Sequence, residues 1–154
     1  MSELTWRDAD KPSYVRLNAT LAHAELLGIP AGEPMLVRSV LQVSDDIRRF
    51  HRTYVPFSVA TTTPWAEDAV LPAPPDIYAH FAGTTSRLHW REHVRARMPL
   101  PDEAESLHAI PGTPVLQITR LMSSKDRPLL MEEFIGLGEA LEVFYDLPIT
   151  KPSR

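Results

Sequence analysis

Three charged side chains stand among apolar neighbours on segments that alternate as strands do. Arg38 shares its parity with Leu36 and Val40, Glu132 with Leu130 and Phe134, and Glu92 with Leu88, Trp90 and Val94. Successive strand residues point to opposite faces, so each of the three is aimed inward with its apolar neighbours. A polar group buried without a partner costs on the order of 1–3 kcal/mol, so these three need partners. An arginine and two carboxylates meeting in one cavity would grip a polar metabolite by an anionic group and by its hydroxyls or amines. Alternatively the groups close structural salt bridges, with Arg38 or Arg120 paired to Glu92 or Glu132.

A second pattern is literal. His89 to His93 read HWREH, the H-x-x-E-H arrangement in which two histidines on one helical turn bind zinc and a glutamate acts as general base. The surrounding stretch RLHWREHVRARM argues against it. Leu88, Trp90, Val94, Ala96 and Met98 are apolar at even positions, and Arg87, His89, Arg91, His93, Arg95 and Arg97 fill the odd ones. That is a strand with the two histidines on the face opposite Glu92, and Pro99 and Pro101 close it soon after. Its basic face is a conceivable phosphate track, but such ladders more often meet acidic neighbours, and the chain carries a net charge of -4.

The elements that position these groups are written twice. A shift of 80 residues lays Ala24, Glu25, Leu27, Gly32, Pro34, Leu36, Leu41, Ser44 and Asp46 onto Ala104, Glu105, Leu107, Gly112, Pro114, Leu116, Leu121, Ser124 and Asp126 without a gap. Each copy reads helix, strand, turn, strand. Thr20 caps a helix over Leu21 to Leu27, and Pro101, Asp102 and Glu103 open its counterpart. The turns GIPAGEP and AIPGTP lead into strands from Pro34 to Val43 and from Pro114 to Met122. SDD and SSKDR reverse the chain into return strands from Arg49 to Val55 and from Leu129 to Ile135. At this shift His51 meets Met131, Arg52 meets Glu132, Tyr54 meets Phe134 and Val55 meets Ile135. Between the copies lie a proline-rich passage from Pro56 to Pro75 and a short helix over Asp76 to Phe81. A last strand is expected in ALEVFYDL. The pattern predicts an α+β domain with a mainly antiparallel sheet, helices packed on one face, and two pseudo-symmetric helix-strand-strand halves.

Composition bounds the function. The chain has 154 residues, 44% of them apolar, which is one domain with one core. Fifteen prolines against six glycines favour rigid connections over disorder. The absence of cysteine excludes disulfides, thiolate metal sites and thiol nucleophiles, and fits a reducing cytoplasm. The opening MSELTWRDAD has no apolar core for a signal peptide, and no run reaches membrane-spanning length, so no membrane partner is expected.

The segments LLGIPAGEPMLVR, HRTYVP, WREHVRARMPLPDEAESLHAIPGTPVLQITR and RPLLMEE through FYDL resemble the UTRA domain, the effector-sensing half of GntR-superfamily, HutC-subfamily transcription regulators. The resemblance implies a chorismate-lyase-like fold, with an N-terminal arm at 1–17, an effector-binding domain at 18–148 and a tail at 149–154. It implies a small-molecule metabolite effector, a homodimer, no cofactor, and no direct DNA binding by this chain alone. Relatives carry a winged helix-turn-helix domain, which the residues before the first repeat are too few to form. Arg38, His51, Arg52, Tyr54, Glu92, Arg120 and Glu132 are the expected ligand-binding residues, His51, Arg52 and Tyr54 because the family presents contacts on that strand. Relatives that sense sugar phosphates tend to carry closely spaced arginines on the first strand. Here Ser39, Val40 and Gln42 follow Arg38, which disfavours a sugar phosphate; His51 and Tyr54 would suit a heteroaromatic or amphipathic metabolite, the alternative being a surface histidine and a core tyrosine. An enzyme on the same scaffold is the alternative, but no nucleophile-base spacing or phosphate-cradling glycine loop supports it.

Overall fold

The computed structural model describes residues 4–149 and 151–152. Seven antiparallel strands form one sheet: β1 (Arg7–Asp8), β2 (Ser13–Asn18), β3 (Pro34–Ser44), β4 (Ile47–Pro56), β5 (Leu88–Arg97), β6 (Val115–Ser124) and β7 (Arg127–Leu137). Their order is β1-β3-β4-β7-β6-β5, with β2 beside β1 on the free edge of β3. The helices are α1 (Leu21–Leu27), α2 (Phe57–Ala60), α3 (Pro74–Thr84) and α4 (Pro101–Ser106). The fold class read from the sequence is therefore present. The helices, however, cover both faces, because a sheet apolar on both sides needs cover on both.

The repeat extends to backbone conformation. Thr20 Oγ1 accepts from the His23 N–H at 3.2 Å to cap α1. The α1 and α4 ends turn through positive φ at Gly28 and His108, 61° and 56°. The two-residue hairpin turns do the same at Asp45 and Lys125, 51° and 54°. Both outer pairs keep one register, Tyr14 opposite Arg38 and Val94 opposite Ile118.

The halves part company at one residue. Arg38 faces Thr53, so an unbroken repeat would set Ile118 opposite Glu133, yet Ile118 faces Phe134. The ladder shifts between Met122 and Ser123, where Ser123 faces Pro128 and Met122 faces Leu130, leaving Leu129 as an extra residue on β7. Pro128 has no N–H for the ladder, and a bulge is where a strand tolerates that. A one-residue slip exchanges faces. Beyond the bulge Glu132, rather than Met131, takes the place His51 has in the first half. The counterparts of Tyr54 and Val55 become Ile135 and Gly136, which corrects the simple shift of 80.

On one face, called here the open face, Leu36, Val55, Met122 and Leu130 pack with Val59 and Ala60 of α2 and with Ile77 and Phe81 of α3. On the opposite face, Leu27 packs with Met35, Val37, Tyr54, Leu121 and Met131, and Leu107 with Val115 and Ile135. The arm forms β1 and β2 on the sheet edge. ALEVFYDL forms no strand. It follows β7, which is flanked on both sides, so no edge is free beside it. Instead it crosses the open face over Gly136, where a Cβ would come within 2.6 Å of Leu141.

Candidate functional site

One row of residues crosses the open face from edge to edge. Tyr14 faces Arg38, Arg38 faces Thr53, Thr53 faces Glu132, Glu132 faces Arg120, and Arg120 faces Glu92. Directly opposed antiparallel residues share a face, so six strands present one polar row. The row on one side, Leu36, Val55, Leu130, Met122 and Trp90, is apolar; the row on the other is Val40, His51, Phe134, Ile118 and Val94. Five expected residues, Arg38, His51, Glu92, Arg120 and Glu132, thus lie on one face.

The middle of this region is buried and incompletely paired. Glu132 is 0% exposed; its Oε1 accepts from the Tyr78 hydroxyl at 2.5 Å and lies 3.3 Å from His51 Nε2. Burial and the Glu132 carboxylate push the Tyr78 hydroxyl well above its ordinary pKa, so it stays a donor. Glu132 Oε2, His51 Nδ1, Thr53 Oγ1 and Arg38 Nε are buried without hydrogen-bond partners among the described residues. Arg38 reaches Asp8 at only 3.8 Å. Native proteins rarely leave such atoms without an ordered water, an ion or a functional role to explain them, and here they make the interior of the open face polar.

Beside these atoms a cavity of about 590 Å³ opens between the sheet, the N-terminal arm and the C-terminal segment. Arg49, Arg120, Glu92, Ile118 and Phe134 form its floor, Leu4 and Trp6 one wall, and residues 140–145 the roof. The Arg120 Nε donates to Glu92 at 2.8 Å, and the Tyr145 hydroxyl donates to the same carboxylate, tying roof to floor. The Arg49 guanidinium lies 4.0 Å from the Trp6 ring centroid and 4.7 Å from that of Phe134, with Arg120 5.2 Å from the latter. Burial, then repulsion from Arg120, pushes the Arg49 pKa down to about 10. Such a site suits an anion.

Arg52 and Tyr54 point away from this site. Arg52 faces Glu133 and Tyr54 faces Met131 on the opposite face. There the Tyr54 hydroxyl donates to Glu133 at 2.5 Å, Gln117 donates to the other Glu133 oxygen, and Arg97 joins Gln117 to Glu103. Strand residues an odd number of positions apart point to opposite faces, which separates both from His51. Sequence reading missed Arg49, Thr53 and Tyr78. The parity of His51 points to Arg49 and Thr53, whereas Tyr78 arrives from a helix with no strand register to reveal it. His89 and His93 lie opposite Ser123 and Thr119, on the face away from Glu92. Among the described residues no three His, Asp or Glu side chains gather as a metal site, and no helix is long and apolar enough to cross a membrane.

Comparison with known proteins finds the sequence pattern of the UTRA domain over residues 13–142. Curated protein sequences yield no match. Among solved structures, the chain is similar to one assigned to the GntR-family transcriptional regulators, with a TM-score of 0.76 and 22% identity over 96% of this chain and 60% of that one. It is also similar to the C-terminal domain of the histidine utilization repressor from Pseudomonas syringae pathovar tomato, with a TM-score of 0.69 and 18% identity over 96% of this chain and all of that domain. The third is PhnF from Mycobacterium smegmatis, with a TM-score of 0.69 and 18% identity over 90% of this chain and 61% of that one. The chain thus spans about three fifths of the length of two of the three.

Proposed function

The chain belongs to the UTRA domain family, and on that premise we propose that it binds a metabolite in the open-face cavity and passes its occupancy to a DNA-reading domain. That domain acts in trans or belongs to a longer protein. The observation that carries this reading is the cavity itself: the half-buried Arg49 guanidinium, the Arg120–Glu92 pair and apolar side chains under a roof tied down through Tyr145 and Glu92. Groups left unpaired in the protein are available to a guest, and a guest that touches roof and floor together changes how they sit. We place Arg49, Arg120, Glu92 and Phe134 against the ligand, with Arg38, His51, Thr53 and Glu132 as the polar interior behind them.

The same reading makes the protein a non-enzymatic sensor, cytoplasmic and a homodimer. Light scattering of the purified chain measures the last point, with a monomer at micromolar concentration as the contrary result. A thermal-shift screen across sugar phosphates, amino acids, imidazole-bearing acids and fatty acids tests the binding function, because a ligand of the folded state raises the Tm. Ile118→Trp fills the floor and should abolish the response. Shifts that survive in this variant, or none across the screen, would remove the effector assignment.

A further inference from the structure

We propose that the ligand is a singly charged carboxylate on an apolar or aromatic body, its carboxylate on Arg49 and its body along Phe134. This rests on the effector-site reading and narrows the ligand to a class. Of the two guanidiniums in the cavity, Arg120 is paired with Glu92 at 2.8 Å. Arg49 meets no carboxylate as an ion pair among the described residues. Its Nε donates to Gln42 at 2.9 Å, and among the described residues its two terminal nitrogens donate to nothing. A guanidinium offers two parallel donors matched to a carboxylate, and Trp6 and Phe134 hold this one in place.

The rest of the cavity sets the body and limits the charge. Leu4, Trp6, Ile47, Ile118, Phe134 and Leu141 make most of its surface apolar. Sugars present hydroxyls all round and would leave them unpaired against these walls, whereas an aliphatic chain or flat ring buries against them. A phosphate monoester carries about 1.5 to 2 negative charges at neutral pH. Among the described residues that line the cavity Arg49 carries the one unpaired positive charge, and the carboxylates of Glu92 and Glu142 also border it. The second charge of a phosphate would therefore face repulsion without compensation.

The test uses the full chain with three kinds of small probe: 3-phenylpropionate and octanoate as carboxylates, 3-phenylpropanamide as the neutral match, and phenyl phosphate with glucose 6-phosphate as dianions. Titration calorimetry reads affinity, and the melting temperature of each free variant checks folding. Both carboxylates should bind at least about tenfold more tightly than the amide and the phosphates, as expected for a charge-assisted pair in a half-buried site. Arg49→Met should erase that advantage while leaving the weak amide affinity in place, and Arg49→Lys should restore part of it. A phosphate that binds more tightly than the carboxylates, in a manner lost in Ile118→Trp, would overturn the carboxylate class and leave the effector site standing. Carboxylates that bind equally well to Arg49→Met, or do not bind, would also overturn it. In either case the wider metabolite screen judges the effector site separately.

Discussion

Glu132 and Glu133 are neighbours on β7, both carboxylates in the interior of a sheet, and they live in opposite chemical conditions. Glu133 points toward α1 and α4 and has both oxygens satisfied, one by Tyr54 and the other by Gln117. Glu132 points toward the cavity side and keeps one buried oxygen unpartnered. The contrast holds across the faces. Under α1 and α4 the polar groups run Tyr54, Glu133, Gln117, Arg97, Glu103 without a break. On the open face four buried atoms and the Arg49 terminal nitrogens stop short of a partner among the described residues. A completed network stabilises the fold, while an incomplete one costs stability and leaves capacity for a guest. Substitutions on the two faces should therefore have different signs.

The largest effect belongs to the completed face. Arg97 holds both Glu103 oxygens, at 2.8 and 2.9 Å, and Glu103 is buried. Arg97→Ala strands that carboxylate and should cost about 2 kcal/mol, read as a Tm drop of roughly 4–8 °C for a domain of this size. A drop under one degree would show that the network is ornamental to stability.

The same pair governs acid sensitivity. The hydrogen bonds from Arg97, then that from the Leu100 N–H, hold the Glu103 carboxyl below its ordinary range against the opposing effect of burial. Its folded pKa is below its unfolded one, so its stabilising contribution is complete above the unfolded value, about 4.3. That contribution is lost as pH falls through the depressed folded value. The wild-type Tm should fall more steeply below about pH 4.3 than that of Glu103→Gln. Parallel acid limbs would detach Glu103 from the pH response.

Much of this architecture is legible in the chain because it is written twice: helix caps, turns and hairpins recur at one spacing. Strand parity likewise sufficed to set Arg38, Glu92 and Glu132 on one face, since residues on one face follow from local alternation once the strands are paired, whereas Arg120 entered only as a partner for their carboxylates. The rest depends on non-local choices. Whether Glu132 or Met131 lies on the open face turns on one extra residue, Leu129, and its only local sign is Pro128 inside a strand. ALEVFYDL has the composition of a strand, but strand formation needs a free edge, and the central place of β7 leaves none. Trp90 and Val94 occupy the expected face yet remain 45% and 46% exposed, because β5 is an edge strand.

The smallest effects give the sharpest contrast, because they come from adjacent residues. Tyr54→Phe removes one donor from Glu133 on the completed face, and should cost about 1 kcal/mol. Thr53→Val, one residue earlier and on the open face, removes a hydroxyl that is 0% exposed and unpartnered. Val keeps the shape and drops the unpaired oxygen, so the free protein should be unchanged or more stable by up to about 1 kcal/mol. Urea unfolding of the two variants reads both signs against one wild type, provided the m-values agree. If Thr53→Val destabilised the free protein as much as Tyr54→Phe, the Thr53 hydroxyl would have a partner in solution and the open face would be a second completed network. A neutral or stabilising Thr53→Val that also weakens ligand binding would place that hydroxyl in the ligand's service.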